Sequence, residues 1–171
     1  MRLKGGDPML FGRAHEEISF LRKNSIRVEI VPGVTAALAA SAELGVSLTQ
    51  RLVARSVVFV TPRTAADAPP SGWEKAVAAA DTAVLYMAGG EAQAVRDALL
   101  RVGMRPDTPA AIAENVSLDS AVVHAGTLAE LSSLAARLGG GPTLLLIGDV
   151  FAALQAGATR DLAPRSASQS A

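Results

Sequence analysis

The 171-residue chain has no cysteine, one tryptophan, one tyrosine and two histidines, and its basic and acidic residues cancel to a net charge of zero. Without cysteine, neither a disulfide nor a thiolate metal site can form. His15 and His124 offer no ligand spacing for zinc, so no metal is expected. Zero net charge removes the general argument for nucleic acid or an anionic membrane as partner, although a local group of arginines could still serve an acidic small molecule. No stretch approaches the ~20 apolar residues of a membrane span. The first four residues already carry charge and no apolar run precedes Gly5, so no signal peptide is expected and the cytoplasm is the expected compartment. The spacing G-x-G-x-x-G is absent, and no Lys-Ser or Lys-Thr follows the opening glycines, which excludes a dinucleotide fingerprint or phosphate loop there.

Half the residues are apolar, enough for one good core or two small ones, and short apolar runs alternate with amphipathic stretches. "EEISFLRK" (16–23) predicts a helix with acids in its first turn and bases in its last. "RVEIVPG" reads as a strand, followed by an alanine-rich helix that Thr35 would cap and Gly45 would stop. The polar stretch 46–55 lacks a clear period and is read as a boundary near residue 50. Beyond it, strands are predicted at 56–62, 82–88, 109–115, 120–128 and 143–147, the third and fourth joined closely enough to pair. Helices are predicted at 91–103 and 129–138. "RTAADAPPSGW" (63–73) reads as a turn-rich connection, and 155–171 as a frayed tail. The expected class is therefore α/β.

The opening stretch "LKGGDPMLFGR" (3–13) sets two glycines, an acid and a proline where a strand would end, the place at which open α/β sheets hold ligands. Glycine lets backbone approach a ligand closely, but two glycines also simply make a turn. The longer string "RLKGGDPMLFGRAHEE" resembles the signature of the uroporphyrinogen-III C-methyltransferases, within the wider family of tetrapyrrole (corrin and porphyrin) methylases. The resemblance continues in order through "VEIVPGVTAALAA", "VSLTQRLVARSVVFVTPR", "AVLYM", "AENVSLDSAVVHAGTLAEL" and "PTLLLIGDV".

The resemblance implies two α/β lobes, here 1–50 and 51–154. The first lobe is incomplete and the second is a mixed sheet flanked by helices. It also implies methyl transfer from S-adenosylmethionine to ring carbons of a tetrapyrrole, on the way to sirohaem or cobalamin. The implied donor contacts are Gly5, Gly6, Asp7, Leu10, Thr35, Ala36, Met87, Val116, Pro142 and Thr143. Arg13 and Glu16 are the implied catalytic pair, and Arg13, Arg51 and Arg63 would meet the acceptor's carboxylates, which arginine's planar fork suits better than lysine. Several of these residues have plainer readings. Asp7 can shape a turn, Thr35 can cap a helix, Met87 can fill a core, and Glu16 can be a first-turn acid.

At "ENVS" the sequence departs from the family's Asn-Gly-Thr, since Val116 takes the glycine's place and disfavours a positive φ. The family's chains carry a further N-terminal segment with an earlier strand and a Gly-rich loop, so this sequence is expected to be a fragment or to start at an internal methionine. Two alternatives stay open: a methylase of a later corrin intermediate, or a non-catalytic binding or dimerisation remnant. A homodimer formed through residues beyond 50 is expected, with Trp73 serving either that interface or the core.

Overall fold

The computed structural model describes residues 1–63 and 71–154, together with the backbone of 159–161. Three apolar runs dominate it: β2 (Thr82–Tyr86), β3 (Pro109–Glu114) and β5 (Thr143–Gly148) bury nearly every side chain. Such runs demand cover on both faces, and they occupy the middle of a six-stranded sheet with β1 (Val57–Val60), β4 (Val122–Thr127) and β6 (Thr159–Asp161) outside them. The order is β1-β2-β5-β3-β4-β6, with β1 and β2 parallel and every other pair antiparallel.

Alternation along the strands sends successive side chains to two separate cores. On one face Leu85, Ile112, Leu145 and Ile147 pack with Val77 of α3 (Trp73–Ala79), Val95 and Leu99 of α4 (Ala92–Arg101), and Leu131 and Leu134 of α5 (Leu131–Ala135). On the other, Val84, Ala111, Leu144 and Leu146 pack with Ala37, Ala40 and Leu44 of α2 (Ala36–Leu44) and with Val150 and Phe151 of the 3-10 turn Asp149–Ala153. Helix α2 thus closes the sheet although it lies before residue 50. Helix α1 (Ala14–Lys23) forms where its period predicts, with Ile18 and Leu21 half-buried.

Four expectations change. The strand expected at "RVEIVPG" does not form: the segment joins no ladder among the described residues, and its apolar side chains Ile30 and Val31 stay exposed. Conversely, Trp73–Ala79, expected to begin as loop, is helix α3. It supplies the crossover that two parallel neighbours such as β1 and β2 require, and it sets Trp73 half-buried against the second core. The helix expected at 129–138 is shorter, a 3-10 turn Leu128–Glu130 and then α5, opened by a capping box between Thr127 and Glu130. Within the expected tail, Thr159–Asp161 pair antiparallel with Val122–His124, because β4 would otherwise offer an open edge. The rest of 155–171, and 64–70 of the turn-rich connection, lie outside the described residues.

Candidate active site

The opening loop is held by its own aspartate. Asp7 accepts the Met9 N–H at 2.8 Å on Oδ1 and the Gly33 N–H at 3.0 Å on Oδ2, shaping one turn and pinning it to another. The two backbones approach so closely that a Cβ at Gly33 would strike the Gly6 carbonyl oxygen, while Gly6 itself stands at φ 71°. A Cβ added at Gly6 would come to ordinary contact distance of the Val34 carbonyl oxygen, Thr35 Cα and the Ala36 nitrogen, so Gly6 faces the start of α2. Gly5 is exposed, and Leu10 is half-buried with its N–H on the Asp7 carbonyl.

Lys4 ties the loop to α1 by donating to the Gly12 carbonyl and to Glu17 at 2.7 Å. Arg13, in the left-handed region at φ 54°, opens α1 and forks onto Glu16, Nε to Oε1 at 3.0 Å and Nη2 to Oε2 at 2.6 Å. This hydrogen-bonded pairing raises the guanidinium's pKa and lowers that of the Glu16 carboxyl.

Thr35 occupies the N-cap of α2 yet makes no capping bond with its side chain. Its Oγ1 lies 2.7 Å from the hydroxyl of Tyr86, and that hydroxyl accepts the Ala37 N–H at 3.1 Å. The Tyr86 ring is flanked by Phe11 at 4.9 Å between centroids and Phe59 at 6.1 Å. The next residue, Met87, is exposed and strained at φ 57°.

A cavity of about 780 Å³ opens beside Tyr86 and Met87. Ala36, Met87, Val116, Pro142 and Thr143 all line it, as do Arg63, Glu91 and the glycines at 89, 90, 140 and 141. Thus five of the ten expected donor contacts share one wall system, with Gly6 and Thr35 adjoining it through Ala36. Arg63 reaches Glu91 at 3.8 Å on the rim. Arg51 sits exposed in the turn closed by the Gln50–Ala54 bridge, away from the lining, and Arg13 and Glu16 also stand outside it on α1.

The Val116 departure is absorbed by its neighbours. Asn115 and Ser117 take the positive φ values, 55° and 69°, and valine does not. Ser117 donates to Glu43 at 2.9 Å, anchoring the far end of α2. Beneath this turn the buried Glu114 accepts the N–H groups of Gly139 and Gly141 at 2.8 and 2.6 Å, shaping the glycine-rich entry to β5.

Sequence reasoning did not single out Tyr86, Gly89, Gly90 or Glu91. The available signals were the lone tyrosine beside Met87 and a Gly-Gly pair immediately after a strand. The cavity fits a nucleoside-sized ligand: its volume lies in the usual range for such sites, and a Cβ at Gly90 or Gly140 would meet no protein atom within 4 Å, leaving room at the wall for close approach.

A mixed α/β sheet covered on both faces and carrying a loop-built cavity is an architecture of ligand-binding domains, and similarity to known proteins says which family this one falls in. The chain belongs to the Tetrapyrrole (Corrin/Porphyrin) Methylases, matched over residues 1–132. Among its relatives, a siroheme synthase of Neisseria meningitidis serogroup C is 43% identical over 150 residues, which are 88% of this chain and 31% of the relative. A siroheme synthase of Edwardsiella ictaluri is also 43% identical, over 88% of this chain and 32% of the relative. The chain therefore spans about a third of the length of these relatives. Among solved structures, uroporphyrin-III C-methyl transferase from Thermus thermophilus complexed with S-adenyl homocysteine superposes with a TM-score of 0.77 at 33% identity, covering 89% of this chain and 66% of that one.

Proposed function

We propose that this chain contributes to S-adenosylmethionine-dependent C-methylation of uroporphyrinogen III, with the cavity at Met87 as its donor site. The observation that carries the reading is the convergence of Ala36, Met87, Val116, Pro142 and Thr143 on that cavity, with the Gly6–Asp7 loop pinned to Gly33, three residues before Ala36. The Thermus relative crystallised with the demethylated donor supports the same ligand class.

The donor supplies an electrophilic sulfonium methyl group. Gly89, Gly90 and Pro142 bring backbone to the cavity lining, and Met87, Val116 and Leu144 bring apolar side chains to it. Glu16 occupies one edge of the Arg13 guanidinium, which leaves the remaining donors free for an acceptor carboxylate. Arg63 offers a second such contact at the rim and Arg51 a third from its turn. Glu16 acts by orienting Arg13; the Arg13 hydrogen bond that lowers its pKa makes it a weak base, which favours this role over taking up the proton that the acceptor releases after methylation, and that proton passes to solvent. Holding acceptor carbon and methyl group in line accounts for much of the acceleration.

The reading includes a boundary near residue 50 between two lobes, and a cytoplasmic homodimer paired through exposed apolar residues beyond it, among them Leu52, Val53 and Leu118. Calorimetry with S-adenosylhomocysteine on the 171-residue chain tests the donor site. Binding in the tens of micromolar or weaker, abolished by Met87→Asp, is expected. Absence of binding at millimolar ligand, or binding untouched by that substitution, sinks the assignment.

A further inference from the structure

We propose that the Tyr86 hydroxyl is a positioning group that sets the start of α2 against the donor cavity, a role that rests on the donor reading above. A helix start normally satisfies one of its free N–H groups through the side chain of its N-cap residue. Here the N-cap residue is a threonine, the right type for the task, yet its hydroxyl turns away to Tyr86 and the tyrosine takes the Ala37 N–H instead. The cap of α2 is therefore supplied by β2, 49 residues along the chain.

This arrangement transmits position. Tyr86 ends β2 in the middle of the sheet, so its backbone is fixed by the β2–β5 ladder through the Tyr86–Leu144 pairing. Its ring is held between Phe11 of the opening loop and Phe59 of β1, which leaves the hydroxyl little freedom. Ala36, one residue from each of its two bonded partners, forms cavity wall, and Met87, one residue along from the tyrosine, forms the wall beside it. One hydroxyl thus relates two adjacent walls of the cavity. The far end of α2 is fixed separately by the Ser117–Glu43 bond, so losing the Tyr86 contact frees only the end that borders the cavity.

Tyr86→Phe removes the hydroxyl and keeps the ring stack. In the 171-residue chain we expect S-adenosylhomocysteine to bind about fivefold more weakly, the Ala37 amide to exchange about fivefold faster, and amides of β3 and β5 to exchange as before. Thr35→Val combined with Tyr86→Phe should weaken binding by less than the product of the two single effects, because both act through one contact. Ser41→Ala, which removes the Ser41 hydroxyl's bond to the Val46 carbonyl at the other end of α2, serves as the control for general loosening of the helix. It should leave ligand affinity unchanged. Unchanged affinity in Tyr86→Phe, equal weakening by Ser41→Ala, or weaker binding with an unaltered Ala37 exchange rate, which would make Tyr86 a direct contact since it also lines the cavity, overturns the proposal while leaving the donor site standing. Should the unmodified chain bind no S-adenosylhomocysteine, the donor reading fails, and Ala37 exchange then decides the positioning of α2 alone: an unaltered rate in Tyr86→Phe refutes it.

Discussion

Among residues 1–34 only Ala14 is buried, whereas β2, β3 and β5 bury almost every side chain they carry. Both regions contain sequences suited to strands. "RVEIV" and "TAVLY" are similarly rich in β-branched and aliphatic residues, yet only the second lies in a ladder. Residues 1–4 and 27–33 instead line an open groove of about 800 Å³ over Ala14, Ile18 and Leu21 of α1. The contrast teaches that strand propensity is realised by neighbours: a half-buried pleated surface needs another strand beside it and a layer above it, and the sheet region has both. What holds the opening region is a few polar contacts and one ring contact, namely Asp7 across two turns, Lys4 on Glu17 and Gly12, and the Phe11 ring on Tyr86.

The contrast can be broken most directly by truncating one apolar side chain in each region. Leu145→Ala, at a fully buried site in β5, should cost about 3 kcal/mol in urea unfolding, whereas Ile30→Ala should cost under about 0.5 kcal/mol. Comparable losses would mean that residues 1–34 are packed as firmly as the sheet.

A polar test comes next. Glu114→Gln replaces a buried charged acceptor of two backbone N–H groups by a neutral one, and should cost about 1–2 kcal/mol by the same measurement. Its counterpart, Asp7→Asn, leaves the global urea midpoint unmoved while accelerating amide exchange at Met9 and Gly33. A shifted midpoint would join the opening loop to the cooperative unit.

The smallest effect is a pH dependence confined to the sheet. His124 on β4 has its pKa lowered, first by burial and then by Arg137, with Glu114 and a backbone hydrogen bond at Arg137 opposing. Its unfolded value near 6.5 is therefore the higher one, so the unfolded chain takes up a proton first as pH falls. The stability that neutral His124 contributes is complete above 6.5 and declines from there down to its lower folded value. Urea midpoints measured at several pH values should show a slope in that window that His124→Phe flattens. A slope surviving the substitution would place its origin elsewhere.

Much of the sheet was legible beforehand because its signals are local. "PAAIAEN" and "SAVVHAGTL" each carry apolar strand residues separated by a short turn, and they form the β3–β4 hairpin. Gly45 stops α2 in the left-handed region, as glycine after an apolar helix should. What escaped depends on distant partners. The role of Tyr86 is set by contacts with residues 11, 35, 37 and 59, none near it in sequence. The seven residues of α3 present only Trp73 and Val77 at helical spacing, too little period to stand out. For the candidate site, the proximity of Ala36 to Met87 and the pairing of Arg13 with Glu16 both rest on resemblance; the helix expected at 16–23 begins after Arg13, and the fork depends on Arg13 taking the left-handed position before Ala14.

The strand order carries a consequence for how the chain comes into being. β5 is the last of the central strands to be synthesised, yet it lies between β2 and β3 and is, among the described residues, the strand bonded to both. Until Thr143–Gly148 has left the ribosome, the β1–β2 pair and the β3–β4 hairpin are two separate ribbons with open inner edges. The hairpin can form early from contacts close in sequence and the β1–β2 pair through its α3 crossover, but neither can complete a core. β5 then enters as a keystone, pairing on both sides in one event, so a nascent chain stalled before residue 143 holds two half-sheets exposed to association, and one released after 148 can close them together.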